Sequence, residues 1–349
     1  MVVAIHARGN NWVDWGSLSE HSRSVVTLVF FLATRSGTEW VLVFFVLSGF
    51  LIGGQVIRKC KQSSFSITTF AVDRVARIYV PLLPALAWTA IVGLITGSNL
   101  KFSTFLGNVL GLQGSLTGNF GNNHPLWSLG YEIWFYVVIG AFGGLMTLRR
   151  PTSSFAYFVG FSLALGILST LRSDFLFCLL VGVASSQRRS HSIRELALGV
   201  FLVGVGYLLI QVQSETQASV LPLWLSMLPR PEVATAIFGA GLGLTISFIA
   251  SSRPQCPILL RVEQVGRPLA RSSYSLYLTH YPALSLVEYV FPGRFEEVSL
   301  YSFVFYLLKI LFCLGVSSVM YFFFESRTEK IKSLMFRSLN RFTTVDPIN

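Results

Sequence analysis

The chain is short of charge. Only 12% of its 349 residues are Asp, Glu, Lys or Arg, while 52% are hydrophobic and the mean hydropathy is +0.61. Soluble domains carry roughly 25% charged residues. A large soluble helical core is therefore excluded, because too little polar surface is left to cover it. Cysteine is scarce too: Cys60, Cys178, Cys256 and Cys313 are scattered without ligand-like spacing, which supports neither a disulfide framework nor a metal site. No internal repeat is visible, so nothing hints at the inverted halves common in transporters. The stretch from Met1 to Asn11 has no charged start followed by an apolar run and a cleavage site. A cleaved signal peptide is not expected, and the first span is expected to direct insertion itself.

What is abundant points to lipid. Thirty phenylalanines and seven tryptophans suit lipid-facing helices with aromatic belts. The net charge of +11 lies in loops between apolar spans rather than in one patch, so it serves orientation and no nucleic-acid partner is expected. Spans of roughly 17–25 residues read at about 16–35, 39–57, 79–97, 128–147, 154–171, 174–187, 195–212, 233–250, 270–291 and 300–324. The apolar stretch 103–113 is too short and too polar to cross. Basic residues follow the second span (Arg58, Lys59, Lys61, Arg74, Arg77) and the fourth (Arg149, Arg150). They also follow the sixth (Arg188, Arg189, Arg194), the eighth (Arg253, Arg261, Arg267, Arg271) and the tenth (Arg327, Lys330, Lys332, Arg337, Arg341), while the alternate loops are poor in them. The positive-inside rule then gives an all-α polytopic membrane protein of about ten transmembrane helices, with both termini cytoplasmic. One transmembrane domain is expected over 1–324, with a basic cytoplasmic tail over 325–349.

Ionisable residues inside spans are costly and mark candidate sites. The first is Ser19-Glu20-His21-Ser22-Arg23. If 16–35 is one helix, Arg23 and Thr34 share a face about 16 Å apart; either that face holds an extended ligand or Arg23 snorkels to headgroups with Glu20 as its counter-charge. The second is Asp73-Arg74-Val75-Ala76-Arg77, whose arginines at i and i+3 could grip phosphates or serve orientation alone. The third runs from His124 to Tyr136 and includes Trp127 and Glu132. A lone carboxylate there must be protonated or paired, whereas the aromatics equally suit an interface belt. The fourth is Ser272 to Pro282, with His280 near mid-membrane and Tyr277 on its face. His280 could act as an acid/base group or as a hydrogen-bonder between helices. His124 is expected to be solvated, as are His6 and His191.

Four stretches carry a family pattern: Val43-Phe44-Phe45-Val46-Leu47-Ser48-Gly49-Phe50-Leu51, Arg74-x-x-Arg77-Ile78, Pro125-Leu126-Trp127-Ser128-Leu129-x-x-Glu132-x-x-Phe135-Tyr136 and Ser273-Tyr274-Ser275-x-Tyr277-Leu278-x-His280. In this order they resemble the membrane acyltransferase-3 family, which O-acylates sugars and glycolipids at the bacterial cytoplasmic membrane. The resemblance implies ten core helices with cytoplasmic termini. It also implies transfer of an acyl group, usually acetyl, from cytoplasmic acyl-CoA to a hydroxyl of a sugar, polysaccharide or glycolipid, with no bound cofactor. Exopolysaccharide, O-antigen and secreted glycosides are the acceptors it allows. The family's first helix normally carries an arginine followed eleven positions later by a histidine, taken to be the base. Counting eleven from Arg23 ends on Thr34, and a threonine hydroxyl is not a useful proton acceptor at neutral pH.

The expected mechanism has Arg74, Arg77 and Arg23 holding acyl-CoA, with its chain directed into the bundle past Ser48, Gly49, Trp127 and Tyr277. The Ser48-Gly49 pair would permit close packing or a helix irregularity beside that channel. With Thr34 at the base position, Glu132 or His280 must help, or activity is reduced. Two other readings use the same residues: a catalytically impaired homologue, and a flippase or other transporter for lipid-linked sugars, which performs no chemistry.

Overall fold

The computed structural model describes residues 1–35, 37–147, 151–215, 230–252, 264, 266 and 270–343. Arg149, Arg150, Arg253, Arg261, Arg267 and Cys256 lie outside the described residues. The regular elements described are helices. In chain order they are α1 (Val2–Asn11), α2 (Val25–Ala33), α3 (Gly37–Ser48), α4 (Gly54–Lys61), α5 (Ile67–Thr96), α6 (Phe102–Val109) and α7 (Trp127–Thr147). There follow α8 (Pro151–Ser169), α9 (Ser173–Ser186), α10 (Ile193–Glu215), α11 (Pro231–Ser252), α12 (Ser273–Val290), α13 (Leu300–Phe323) and α14 (Thr328–Thr343).

The protein is an all-α, multi-pass membrane protein, but among the described residues six candidate spans stand in place of the expected ten. Among the described residues, the helical stretches long and apolar enough to cross are Val25–Lys61, Ile67–Thr96, His124–Thr147, Ile193–Val212, Pro231–Ser252 and Leu300–Leu339. The expected first span, 16–35, fails because its polar run does not continue a helix. It forms the short 3₁₀ turns Trp15–Ser17 and Glu20–Ser22, and α2 starts only at Val25. There Ser24 caps the helix by accepting from the Thr27 amide. The apolar parts of α8 and α9, Phe155–Ser169 and Ser173–Ser186, are too short to count. α12 is a helix of 18 residues that buries Ser275, Thr279 and His280, and those polar groups keep its hydropathy low. α5 starts twelve residues before the expected 79, capped by Ser66 and closed by Gly97 in the left-handed region at φ 72°. Asp73, Arg74 and Arg77 therefore sit on its first turns.

The chain divides into two compact units, one of residues 1–35, 66–133 and 261–349, the other of 36–65 and 134–260. In the first, α1 packs on α12 and α13, and α5 packs on α12 and α14. Its apolar centre includes Trp12, Leu18, Phe31, Leu284 and Tyr306. Trp12 is fully buried, and its Nε1 donates to Glu297 O and Ser302 Oγ, both at 3.1 Å, so the indole meets no unpaired polar cost.

In the second unit, α9 packs on α3, on α11 and on a π-helical turn, Gly49–Gly53, that joins α3 to α4. A Cβ on Gly49 would lie 2.0 Å from Leu179 O, and one on Gly182 would lie 2.0 Å from Val46 O. Backbone meets backbone there, the close approach that small residues allow between membrane helices.

Candidate active site

The site is built from α1 upward. Ten residues make a helix about 15 Å long, too short to cross a bilayer, and α1 is not one of the six spans. Its buried residues are Val3, Ile5, Ala7 and Asn11, of which Val3, Ala7 and Asn11 follow the i, i+4 period, and the helix packs on α12 and α13. This sets the His6 ring 5.3 Å from the His280 ring and 5.4 Å, edge-on, from Tyr281. Burial, and then the neighbouring His124, push His6 down to about 4, so its imidazole is neutral near pH 7. The expectation of a solvated terminal histidine is corrected. The signal was present in the apolar run Val2-Val3-Ala4-Ile5 and the spacing of Val3, Ala7 and Asn11.

His280 is wholly buried. Its Nδ1 lies 3.0 Å from Leu276 O and 2.9 Å from Tyr277 O. Carbonyls only accept, so Nδ1 carries the proton and Nε2 keeps a lone pair. That Nε2 is buried and has no hydrogen-bond partner among the described residues.

Behind His280, the Tyr277 hydroxyl donates to Pro125 O at 2.6 Å, which leaves the Ser128 hydroxyl to donate to Tyr277 Oη at 2.6 Å. Asn123 Nδ2 donates to Leu278 O at 2.9 Å and to Thr89 Oγ1 at 3.3 Å. These bonds tie the start of α7 and the turns before it to α12 and to α5. Glu132 follows Ser128 by one turn, is buried, and interacts electrostatically with Tyr277. Trp127 packs edge-on against Tyr131 at 5.8 Å. The structure thus brings Tyr277, His280, Ser128 and Glu132, which the sequence left in two separate motifs, into one neighbourhood with His6. Among the described residues no cluster of three metal-ligating groups occurs.

Arg23 and Thr34 do not share a helix. Arg23 closes a 3₁₀ turn, its Nε donating to Leu18 O and its Nη2 to Gly16 O. Thr34 ends α2, its hydroxyl donating to Phe30 O at 2.7 Å. The ligand face expected between them is corrected on this ground.

Arg74 pairs with Asp73, which also takes Lys332 Nζ at 2.9 Å. Arg77 pairs with Glu325 at 3.2 Å and lies over Tyr274, with its side chain still 49% exposed. Glu325 is the residue that sequence reasoning missed here. It is buried and also accepts from the Ser275 amide at 3.0 Å and the Ser275 hydroxyl at 2.6 Å. In the second unit, Gly49 lies against the Leu179 backbone, with no room for an acyl chain at that contact. The neighbouring Ser48 Oγ is buried without a hydrogen-bond partner among the described residues.

The acyltransferase-3 family, described as an acyltransferase domain, matches residues 1–322. An uncharacterized protein of Haemophilus influenzae is 31% identical over 110 residues, which cover 28% of this chain and 45% of that relative. The match thus spans less than half of the relative's length. No solved structure matches the chain.

Proposed function

Because this chain belongs to the membrane acyltransferase-3 family, we propose that it moves an acyl group from acyl-CoA to a sugar hydroxyl with His6 as the base. The donor is cytoplasmic acyl-CoA carrying, in the family's usual form, acetyl. The acceptor is a sugar, polysaccharide or glycolipid at a bacterial cytoplasmic membrane. The observation that supports this reading most is a neutral His6 whose ring lies 5.3 Å from that of His280, the Nε2 of which has no hydrogen-bond partner among the described residues.

The chemistry balances with these groups alone. His6 takes the proton of the acceptor hydroxyl as its oxygen attacks the thioester carbon. The new C–O bond forms, the C–S bond breaks, and the departing thiolate of coenzyme A receives the proton from His6. His280 is a positioning residue: its Nδ1–H is spent on carbonyls, so its Nε2 lone pair is free to accept an N–H from His6. Tyr277, Ser128 and Glu132 hold the α12 side of the site. Thr34 then has no proton to move, and the missing histidine at that position costs nothing.

Arg77 and Arg74 remain the proposed grip for coenzyme A phosphates. Each is poised by a carboxylate, and the half-exposed Arg77 fork can still meet a phosphate.

The test is acyl transfer from labelled acetyl-CoA in proteoliposomes. His6→Gln should lose about 10²–10⁴-fold, the span that general-base groups supply. Thr34→Val should keep its rate. Full activity in His6→Gln, or no acyl transfer by the wild type to any hydroxyl acceptor, sinks the reading, and the latter is what a lipid-linked sugar flippase would show.

A further inference from the structure

A cavity of about 280 Å³ opens beside His6, lined among others by Arg8, Tyr281, Glu288 and Arg294. This is the lower end of the size of small-molecule sites, and its charge pattern exceeds what a neutral sugar needs. Neither Arg8 nor Arg294 forms an ion pair among the described residues. Arg8 stacks its guanidinium on the Phe31 ring at 4.9 Å. Stacking occupies the flat face and leaves the N–H edges unused. Its Nε is indeed buried without a hydrogen-bond partner, and the acid that acts on it, Asp14, does so only through its field.

The carboxylate on the cavity wall is already engaged. Glu288 Oε2 accepts from Asn10 Nδ2 at 2.7 Å, and Asn10 in turn accepts from Lys309 Nζ at its backbone O and its Oδ1, both at 2.9 Å. Lys309 and Glu288 also attract each other electrostatically. The relay Lys309–Asn10–Glu288 thus balances one positive charge with one negative charge. Two arginines are left facing the cavity without an ion-pair partner among the described residues, Arg8 met by Asp14 only through its field. Paired guanidinium forks match the two oxygens of a carboxylate or a phosphate.

We infer that this cavity takes an acceptor sugar that carries a carboxylate or a phosphate, clamped by Arg8 and Arg294 with a hydroxyl presented to His6. The inference rests on the reading of His6 as the base. The anion belongs to the acceptor rather than to the donor for a chemical reason. The phosphates of coenzyme A are separated from its thioester by the whole pantetheine arm, whereas Arg8, Arg294 and His6 share one small cavity.

The test reads binding, so it stands apart from acyl transfer. The full chain in lipid nanodiscs is titrated, without acyl-CoA, with glucuronate, glucose 1-phosphate and glucose, followed by ligand-observed NMR. At least one anionic sugar should bind tenfold or more tighter than glucose, and the better of the two identifies the anion. Arg294 is exposed, so Arg294→Gln is not expected to disturb folding; it and Arg8→Gln should each reduce the preference about tenfold. Glu288→Gln, which removes the opposing charge, should raise it. Equal binding of the three sugars, a preference unchanged in Arg294→Gln, or displacement of the bound anion by coenzyme A alone would overturn the inference. Retained preference in a protein that transfers no acyl group would overturn only the enzymatic reading.

Discussion

In the first unit the buried interior holds Asn123, Ser128, Ser275, Thr279, His280 and Glu325, from helices and from the turns beside them, nearly all of them bonded to a partner from another element or to their own turn. The second unit has polar bonds to buried groups too, Gln211 to Glu39 and Ser247 to Ser185 O, but it adds glycine contacts of backbone on backbone, with Gly49 on the Leu179 carbonyl and Gly182 on the Val46 carbonyl. The two solve the same problem differently. Within a bilayer the gain from excluding water is gone, so association rests on hydrogen bonds or on tight dispersion contact. Hydrogen-bonded polar groups hold ionisable side chains in place and make chemistry possible. Glycine contacts have no chemistry to offer and give rigidity. A lesion at the ionisable side chains beside His6 should therefore act on rate, and one at the glycine contacts on stability.

The largest effect expected on this contrast is that of His280→Phe, which removes the Nε2 lone pair from the ring that lies 5.3 Å from the His6 ring. Transfer should fall about 100-fold or more with the KM for acyl-CoA held, measured by initial rates in proteoliposomes. Gly49→Leu tests the other side. Its side chain must displace the Leu179 backbone, and overpacking of this kind costs about 1–3 kcal/mol or more. Thermal unfolding in detergent should shift down, while the rate per folded molecule stays within twofold. A large loss of rate without loss of stability in Gly49→Leu would erase the contrast.

Glu325→Gln should come next. It withdraws a buried charge from Arg77 and weakens the acceptor of the Ser275 donors. Because Arg77 is half exposed, solvent screens the pair, and about 1–2 kcal/mol of stability is expected to go. The pH profile should show a smaller effect. A base that is neutral above about 4 is competent throughout the neutral range, so transfer should stay level from about pH 5.5 to 7.5 and fall on acidification toward that value, rather than near the ordinary histidine value of about 6.5. The smallest effect is that of Thr34→His, which should change the rate by less than twofold.

Several features of this arrangement were legible without coordinates. The i, i+3 relation of Tyr277 and His280 follows from helical period alone, and both lie at the site. The Ser48-Gly49 pair permits close packing or a helix irregularity, and Gly49 both lies against the Leu179 backbone and begins a π-helical turn. The count of ten spans was not secure. Hydropathy over a window cannot tell a polar run that stays helical from one that breaks into 3₁₀ turns, as Ser19–Arg23 does. Nor could the Arg23–Thr34 spacing be read, since a spacing argument assumes one continuous helix. Glu325 was passed over because it sits among basic residues after the last span, although it meets Arg77 at a separation of 248 residues.

The composition by itself determined the solvent and the class of fold. Low charge and long apolar runs leave only membrane helices, because each peptide group in lipid must find its partner within its own segment. Those are local demands, and a linear string expresses them. The tertiary structure alone decided that a histidine six residues into the chain faces one on α12, that Arg77 is matched by Glu325, and that Arg8 and Arg294 turn into the cavity beside His6. Such pairings arise from how helices distant in sequence pack, and no helical period carries that information.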